Sequence, residues 1–448
     1  MVLSNKSPDS EVVVIGLGYV GLTLAAHLAR SGFKVCGIEI RESILDELAK
    51  GKAFFLEEGL DSLLKSSLEN GSFSFFKKIP KSNNKRTFII TVGTPLNPDG
   101  SANMSFISRV SEEVQTNLKD NDFVILRSTV KIGTTRDVVK PILDKANVEY
   151  GLAFCPERTL EGAALKEISE LPQIIGAENS EDLDSASRFF SRITSTVIKV
   201  NSLETAEVIK LVDNMQRDVH FAISNEVARV CNELEVSAHE VISSGKLGYP
   251  RTNLAMPGPV GGPCLEKDSY LLNESMSWNR SLSLSAREVN ESIVIESLDF
   301  LQEILMKHSH IDIGSELRVG ILGIAFKGVP ATNDLRGSLG VTMITEMKTR
   351  FPSMYMSAFD PVVTKKDLGD LDVDLIENSA LVFKNANLVI LTNNHPEFST
   401  LDIGGLSNAM SGSALIYDLW GRYKTEMLDN GNLVTAWGAH GLAKRLIR

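Results

Sequence analysis

The chain is poor in cysteine. Cys36, Cys155, Cys231 and Cys264 are scattered over 448 positions with no Cys-x-x-Cys pair, which excludes a disulfide framework and points to free thiols in a reducing compartment. No apolar run approaches the ~18 residues of a membrane span, so no membrane partner is expected. The polar segment from Met1 to Glu11 lacks the apolar core of a signal peptide, and the protein is expected in the cytoplasm. No Lys/Arg-rich run offsets the excess of 57 acidic over 46 basic residues, a net charge of −11. Such a surface repels nucleic acid, and neither a nucleic-acid partner nor a metal is expected. An anionic small molecule is still admissible, because a few cations and backbone N–H groups suffice for it.

What is present is length and alternation. At about 150 residues per domain the chain holds about three. In the first part, Val12–Ile15, Val35–Ile40, Thr87–Val92, Phe123–Leu126 and Gly151–Phe154 read as strands, with helical patterns such as Leu22–Ser31 and Ser43–Lys50 between them. Unbroken apolar strands alternating with helices predict a parallel sheet covered on both faces. From Leu203 to Glu235 the apolar residues keep helical spacing with no Gly or Pro, predicting one long helix. A loop, Tyr249–Pro263, and a second helix over Ala286–Lys307 follow. Strands return at Arg318–Leu322, Met354–Phe359, Leu388–Leu391 and Ala414–Tyr417, with a helix over Ser338–Arg350. The expected architecture is α/β: two Rossmann-like domains with parallel sheets, residues 1–200 and 311–448, joined by a central helical domain, residues 201–310. A long exposed helix between two such domains suits a subunit contact, so a homodimer or higher homo-oligomer is expected.

The first glycine turn carries chemistry. Val-Val-Val-Ile-Gly16-Leu-Gly18-Tyr19-Val20-Gly21 is a G-x-G-x-x-G run with a strand before it and a helix after it. Gly16 allows the tight turn, Gly18 lets the backbone approach a pyrophosphate, and Gly21 permits close helix–strand packing. The helix N-terminus then receives the anion. Glu39 closes the second strand about 20 residues on, where a carboxylate reads the ribose 2′-hydroxyl and repels a 2′-phosphate. NAD is therefore the expected cofactor, with Arg41 nearby as the feature that keeps NADP open.

The second reactive segment is Pro257-Gly-Pro-Val-Gly261-Gly262-Pro263-Cys264-Leu-Glu266-Lys267-Asp268. Small and turn-forming residues present Cys264 on open backbone, and Lys267 brings a cation within reach of a thiolate. Cys36 in a strand and Cys231 in a helix read as inert hydrophobes. Lys210 and Asn214 are four apart and share a helix face, where an ammonium and an amide can stabilise oxyanions.

In these segments the chain resembles the UDP-glucose/GDP-mannose dehydrogenase family. The glycine fingerprint is followed in order by Val92-Gly-Thr94-Pro95, Ser128-Thr129-Val130 with Gly133-Thr134-Thr135, and Cys155-Pro156-Glu157-Arg158. Lys210-Leu-Val-Asp-Asn214, Gly261-Gly262-Pro-Cys264 with Lys267-Asp268, and Ala325-Phe326-Lys327 with Asp334 and Arg336 complete the series. The resemblance implies a four-electron oxidation of a sugar C6 alcohol to the carboxylate, with two NAD⁺ used in turn. Cys264 would carry the aldehyde as a thiohemiacetal and then as a thioester, which agrees with a thiol placed to serve a dehydrogenase. By resemblance, Asp268 is general base or water organiser, Glu157 the acid/base of thioester hydrolysis, and Thr129 the hydroxyl that positions water. Thr94, Thr129, Lys267 and Arg336 join the cofactor candidates. Glu157, Arg158, Lys210, Asn214, Gly261 and Lys327 join the substrate side, with Arg251, Asn253 and Arg422 as candidate phosphate or uracil contacts.

Ser202–Glu207, Gln216–Val219 and Ser224–Glu226, together with Cys-Pro-Glu-Arg, are most similar to the branch acting on UDP-N-acetylhexosamines, the mannosamine or glucosamine form, in polysaccharide biosynthesis. UDP-glucose is the near alternative, a two-electron hydroxyacid dehydrogenase the second, and a non-catalytic nucleotide-sugar sensor the third. Three positions depart from the family pattern: Glu39 for Asp, Arg127 where Glu is common before Ser-Thr-Val, and Glu266 where Pro is frequent.

Overall fold

The computed structural model describes residues 11–277, 281–311 and 316–448; most of the polar N-terminal segment read for a signal peptide, residues 1–10, lies outside them. The chain divides into two compact units, Met1–Asp213 with Tyr270–Ser277, and Asn214–Ser269 with Trp278–Arg448.

The first unit holds an eight-stranded sheet: β1 (Glu11–Ile15), β2 (Val35–Ile38), β3 (Phe73–Phe76), β4 (Arg86–Ile90), β5 (Asp122–Leu126), β6 (Tyr150–Phe154), β7 (Gln173–Ala177) and β8 (Val197–Val200). The order is β3-β2-β1-β4-β5-β6-β7-β8. Val12 and Val14 of β1 enter one apolar core with Leu24 and Leu28, while Val13 and Ile15 enter the other with Phe88 and Ile90. A strand buried on both faces has no need of polar alternation. Helix α1 (Tyr19–Arg30) follows β1 directly. Strand order reverses between β1 and β4, the point where doubly wound sheets open a ligand crevice at their carboxyl ends.

The second unit repeats this scheme. Strands β9 (Arg318–Leu322), β10 (Tyr355–Phe359), β11 (Asp374–Leu375), β12 (Leu388–Leu391), β13 (Leu415–Asp418), β14 (Glu426–Met427) and β15 (Leu433–Ala436) take the order β11-β10-β9-β12-β13-β15-β14. Its reversal lies between β9 and β12. The long helix α2 (Leu203–Glu233), α3 (Leu265–Asn273), α4 (Leu282–His308) and α5 (Leu339–Arg350) complete the main elements. The boundary between the units falls within α2, after Asp213, and the segment Tyr270–Ser277, which holds the end of α3, belongs to the first unit.

The architecture is the expected one, with one correction. The sheets are not wholly parallel: β7 runs antiparallel to β6 and parallel to β8, and β14 runs antiparallel to β15. An apolar run such as Gln173–Ala177 carries no signal of its direction; the connection before it sets that. Among the described residues no helix is long and apolar enough to cross a membrane.

Candidate active site

In the first unit the glycine turn is shaped by contact. Gly16 has a φ of +91°, a left-handed backbone that favours glycine. A Cβ at Gly21 would overlap the Gly16 carbonyl oxygen and lie 2.5 Å from Thr91 Oγ1, so any larger residue pushes α1 off the sheet. A Cβ at Gly18, by contrast, would meet nothing within 4 Å. Gly18 caps α1 without a side-chain hydrogen bond, so the first N–H groups of the helix keep their capacity for an anion. That combination of close packing at Gly21 and open space at Gly18 fits a dinucleotide pyrophosphate. Tyr19 packs on Phe54 and Phe55, with ring centroids 5.4 and 4.2 Å away, and Val20 is half-buried beside it.

Glu39 is buried and accepts Leu17 N–H at 3.2 Å, Ile40 N–H at 2.9 Å and Arg41 N–H at 3.0 Å. Arg41 adds Nε at 3.1 Å and Nη2 at 3.0 Å. Burial alone would raise this carboxyl, but the Arg41 bonds hold it below its ordinary value. Arg41 is thus committed to Glu39 and to the Phe54 face, 5.5 Å from its guanidinium carbon; the cation that kept NADP open is occupied by the acid that favours NAD. Across the sheet, Thr94 Oγ1 donates to the Thr129 carbonyl at 2.6 Å, tying the ends of β4 and β5 together.

Glu157 is buried, and so is Lys210. Arg127, one of the three departures, donates to Glu157 Oε2 from Nη2 at 2.6 Å and from Nε at 3.1 Å. Arg158 donates from Nε to Asp213 Oδ2 at 2.8 Å. Glu207, with its carboxylate on Gly133 N–H and on Thr135 N–H and Oγ1, holds the Gly-Thr-Thr turn.

In the second unit Cys264 is exposed, whereas Cys36, Cys155 and Cys231 are buried. Burial pushes the Cys36 thiol up to about 12 and raises Cys155 and Cys231 as well, which leaves them protonated and unreactive. Cys264 immediately precedes α3, and its carbonyl accepts Asp268 N–H at 3.0 Å. The helix N-terminus there favours an anion. Asp268 is buried, and its carboxylate accepts Asn214 Nδ2 at 2.5 Å and Lys267 Nζ at 2.7 Å. The cation expected to face the thiol is therefore bonded to Asp268, and the Asn214 amide is oriented by the same acid.

The loop before Cys264 is strapped down. Gly262 N–H donates to the Gly337 carbonyl at 2.8 Å, and a Cβ at Gly261 would overlap that same oxygen. Asn225 clasps Gly258, accepting its N–H at 2.9 Å and donating to its carbonyl at 3.2 Å. Arg287 donates to the Val260 carbonyl at 2.8 Å and to Asp218 at 3.0 Å. None of Asn225, Asp218 and Arg287 was singled out as a site residue, since buried polar groups carry no sequence signal apart from their company. Glu266 lies against Gly337, and burial raises its carboxyl toward the neutral form, which weakens its opposition to a neighbouring thiolate.

The remaining candidates are dispersed within the unit. Arg336 bonds Asp334, with Nε at 2.9 Å from Oδ2 and 3.0 Å from Oδ1. Lys327, after β9, is half-buried with Nζ 5.2 Å from the Phe326 ring centre. Arg422, after β13, donates to the His395 carbonyl at 2.6 Å, and both flank the β9/β12 reversal. Arg251 and Asn253 lie on an exposed loop, Arg251 over Tyr249 and the Asn253 carbonyl 2.5 Å from His220 Nε2.

Comparison with known proteins adds to this geometry. Models of the UDP-glucose/GDP-mannose dehydrogenase family match residues 10–194 (NAD binding domain), 204–292 (central domain) and 320–425 (UDP binding domain). The chain is 30% identical over 404 residues to a UDP-N-acetyl-D-mannosamine dehydrogenase of Methanocaldococcus jannaschii, covering 89% of each. It is similar to the solved structure of the UDP-D-ManNAc dehydrogenase of Pyrococcus horikoshii, with a TM-score of 0.85, 27% identity, and 96% of this chain and 100% of that one covered. The UDP-N-acetyl-mannosamine dehydrogenase structure from Staphylococcus aureus gives a TM-score of 0.82 at 28% identity, covering 96% and 99%.

Proposed function

Because the chain belongs to the UDP-glucose/GDP-mannose dehydrogenase family, we propose that it oxidises the C6 alcohol of UDP-N-acetylmannosamine to the uronate. It is an NAD-dependent nucleotide-sugar dehydrogenase. The mannosamine substrate rests on the relatives that carry this activity in their names. The observation that carries the chemistry is Cys264, the exposed thiol at the start of α3 beside the Asn214–Asp268–Lys267 cluster.

Gly16, Gly18, Tyr19, Val20 and Gly21 shape the pyrophosphate turn; Glu39, oriented by Arg41, takes the adenosine ribose; Thr94, Thr129, Lys267 and Arg336 complete the cofactor contacts. NAD⁺, when bound, supplies the hydride acceptor, used twice per sugar. Asp268 accepts the hydroxyl proton directly or through water, and Lys210 and Asn214 stabilise the C6 oxygen as charge grows on it. The Cys264 thiolate then adds to the aldehyde carbon, and the C6 oxygen becomes the thiohemiacetal oxyanion. Loss of the second hydride from C6 leaves a thioester. Asp268 gives its proton up to solvent, and water, held by Thr129 with Glu157 nearby, adds to the thioester, passing one proton to Asp268 and the other to bulk water; the C–S bond breaks, and thiolate and uronate are released. Gly261 gives the sugar room beside the cysteine, and Arg158, Arg251, Asn253, Lys327 and Arg422 serve the nucleotide and phosphates.

In this reading residues 1–200, 201–310 and 311–448 have separate tasks: NAD binding, a helical spine with the cysteine loop, and UDP-sugar binding. The exposed Ile223 and Val230 of α2, with Leu234 just after it, form the contact of a homodimer, and the enzyme works in the cytoplasm, where its thiols stay reduced. The test is a panel of UDP-N-acetylmannosamine, UDP-N-acetylglucosamine, UDP-glucose and GDP-mannose with NAD⁺, with intact-mass analysis of the quenched protein. The mannosamine compound is expected to be preferred and to leave an adduct on Cys264. Turnover of UDP-glucose alone, or turnover undiminished in Cys264→Ser, rejects the reading.

A further inference from the structure

Arg127, which the reaction scheme above does not use, is paired with Glu157, which it does. Both are buried, 3% and 7% exposed, at the ends of β5 and β6. Besides its two bonds to Glu157, the guanidinium donates from Nη1 to the Cys155 carbonyl at 3.0 Å and to Gln173 Oε1 at 2.8 Å. Gln173 is fixed in turn, with its Nε2 on the carbonyls of Pro156 at 3.1 Å and Ile174 at 2.8 Å. The Phe190 ring covers the guanidinium, 5.4 Å from its carbon. On the other side of the carboxylate, Oε1 accepts the N–H groups of Arg158 at 2.8 Å and Thr159 at 2.9 Å.

A carboxylate has about four lone-pair sites, and here each oxygen already carries two donors. Such a group has little capacity left to take a proton from water and no proton of its own to give. We propose that Arg127 is a positioning residue that clamps the Glu157 carboxylate as a fixed anion, so that Glu157 acts by its charge and carries no proton in the reaction. This rests on the reading that Glu157 serves sugar oxidation, and it narrows that role from proton transfer to electrostatics. The charged groups facing Glu157 are consistent with it. Burial alone would raise the carboxyl; the Arg127 charge, the Thr159 N–H and the Lys210 charge on α2 overcome it and hold Glu157 below the ordinary range. Arg158 is neutralised by Asp213, and the Cys155 thiol, pushed up by burial, stays neutral. The fixed anion therefore acts on Lys210, keeping a compensated ammonium available for the C6 oxyanion.

The experiment compares pH profiles of kcat for wild type, Glu157→Gln, Arg127→Gln and Arg127→Lys, with NAD⁺ and UDP-N-acetylmannosamine. Wild type and Glu157→Gln are expected to share the same ionisation limbs at different amplitudes. Arg127→Gln is expected to gain a limb displaced upward by ~1–3 pH units, the effect of a removed partner cation on a carboxyl, and Arg127→Lys to return toward wild type. A limb present in wild type and lost in Glu157→Gln overturns the proposal, and that comparison stands even where Arg127→Gln does not fold. An infrared difference titration of the protein without substrate, wild type minus Glu157→Gln, gives an answer independent of turnover. No protonated Glu157 carboxyl is expected above about pH 5; one seen near neutrality overturns the clamp. A wild type that oxidises no UDP-sugar rejects the functional reading, while the infrared result still decides the clamp.

Discussion

Replacing Asn225 with alanine removes the clasp on the loop that leads to Cys264. The Asn225 side chain is fully buried and accepts the N–H of Gly258 at 2.9 Å and of the Trp437 indole at 3.3 Å. It also donates to the Gly258 carbonyl at 3.2 Å and to Asn290 Oδ1 at 2.9 Å. Alanine strands all four partners. At ~1–3 kcal/mol for each buried group left unpaired, with one or two of them rescued by a water entering the space, the expected loss is about 3–5 kcal/mol. The assay is urea unfolding followed by tryptophan fluorescence. Of the three tryptophans of the chain, Trp420 and Trp437 belong to the second unit, and the Trp437 indole is itself a partner of Asn225, so the signal follows that unit. With a slope of ~1–3 kcal/mol per M, the midpoint is expected to fall by more than about 1 M. Because the other three thiols are buried, alkylation of the native protein reports Cys264, and its rate is expected to change several-fold when Gly258 is released. A loss under about 1 kcal/mol with an unchanged alkylation rate refutes the strap.

Three further outcomes follow from the first unit. Gly21→Ala drives a methyl into the Gly16 carbonyl, and overpacking of ~1–3 kcal/mol concentrated at the pyrophosphate turn is expected to abolish NAD⁺ binding in calorimetry while circular dichroism stays near native. Glu39→Gln keeps the shape but weakens the hydrogen bond to a ribose hydroxyl, so the KM for NAD⁺ is expected to rise about ten-fold, ~1.4 kcal/mol, with kcat within two-fold. Burial and the Arg30 charge push the His27 imidazole down to about 4 from 6.5. Between those values the unfolded chain binds more protons than the folded one, so stability falls as pH falls, by as much as ~3 kcal/mol. His27→Gln is expected to flatten that dependence in urea melts at pH 5 and 7, and parallel curves for the two proteins refute it.

Much of this was legible in the sequence, for identifiable reasons. The turn from β1 to α1 is visible because each of its glycines answers a steric demand, and α2 because no Gly or Pro interrupts its apolar spacing. Strand β3, Phe-Ser-Phe-Phe, was not anticipated: it has no β-branched residue and its burial decays along its length. Strands β7 and β8 were missed as well, and their reversed direction is set by how the chain returns to the sheet. In the site, Cys264 and Asp268 are marked by an unusual neighbourhood in sequence. Arg127 shows what stays hidden: a lone arginine reads as a surface charge until the fold brings Glu157, Gln173 and the Cys155 carbonyl around it. Lys267 shows the converse, since its place beside Cys264 is visible but its bond to Asp268 is not.

The central claim is that one protein takes a UDP-sugar alcohol through the aldehyde to the acid with a single cysteine. With UDP-N-acetylmannosamine limiting and NAD⁺ in excess, the amount of NADH formed at completion tests it directly. The account predicts two NADH for each sugar consumed, with a uronate as product. One NADH per sugar, with an aldehyde or ketone accumulating, contradicts it.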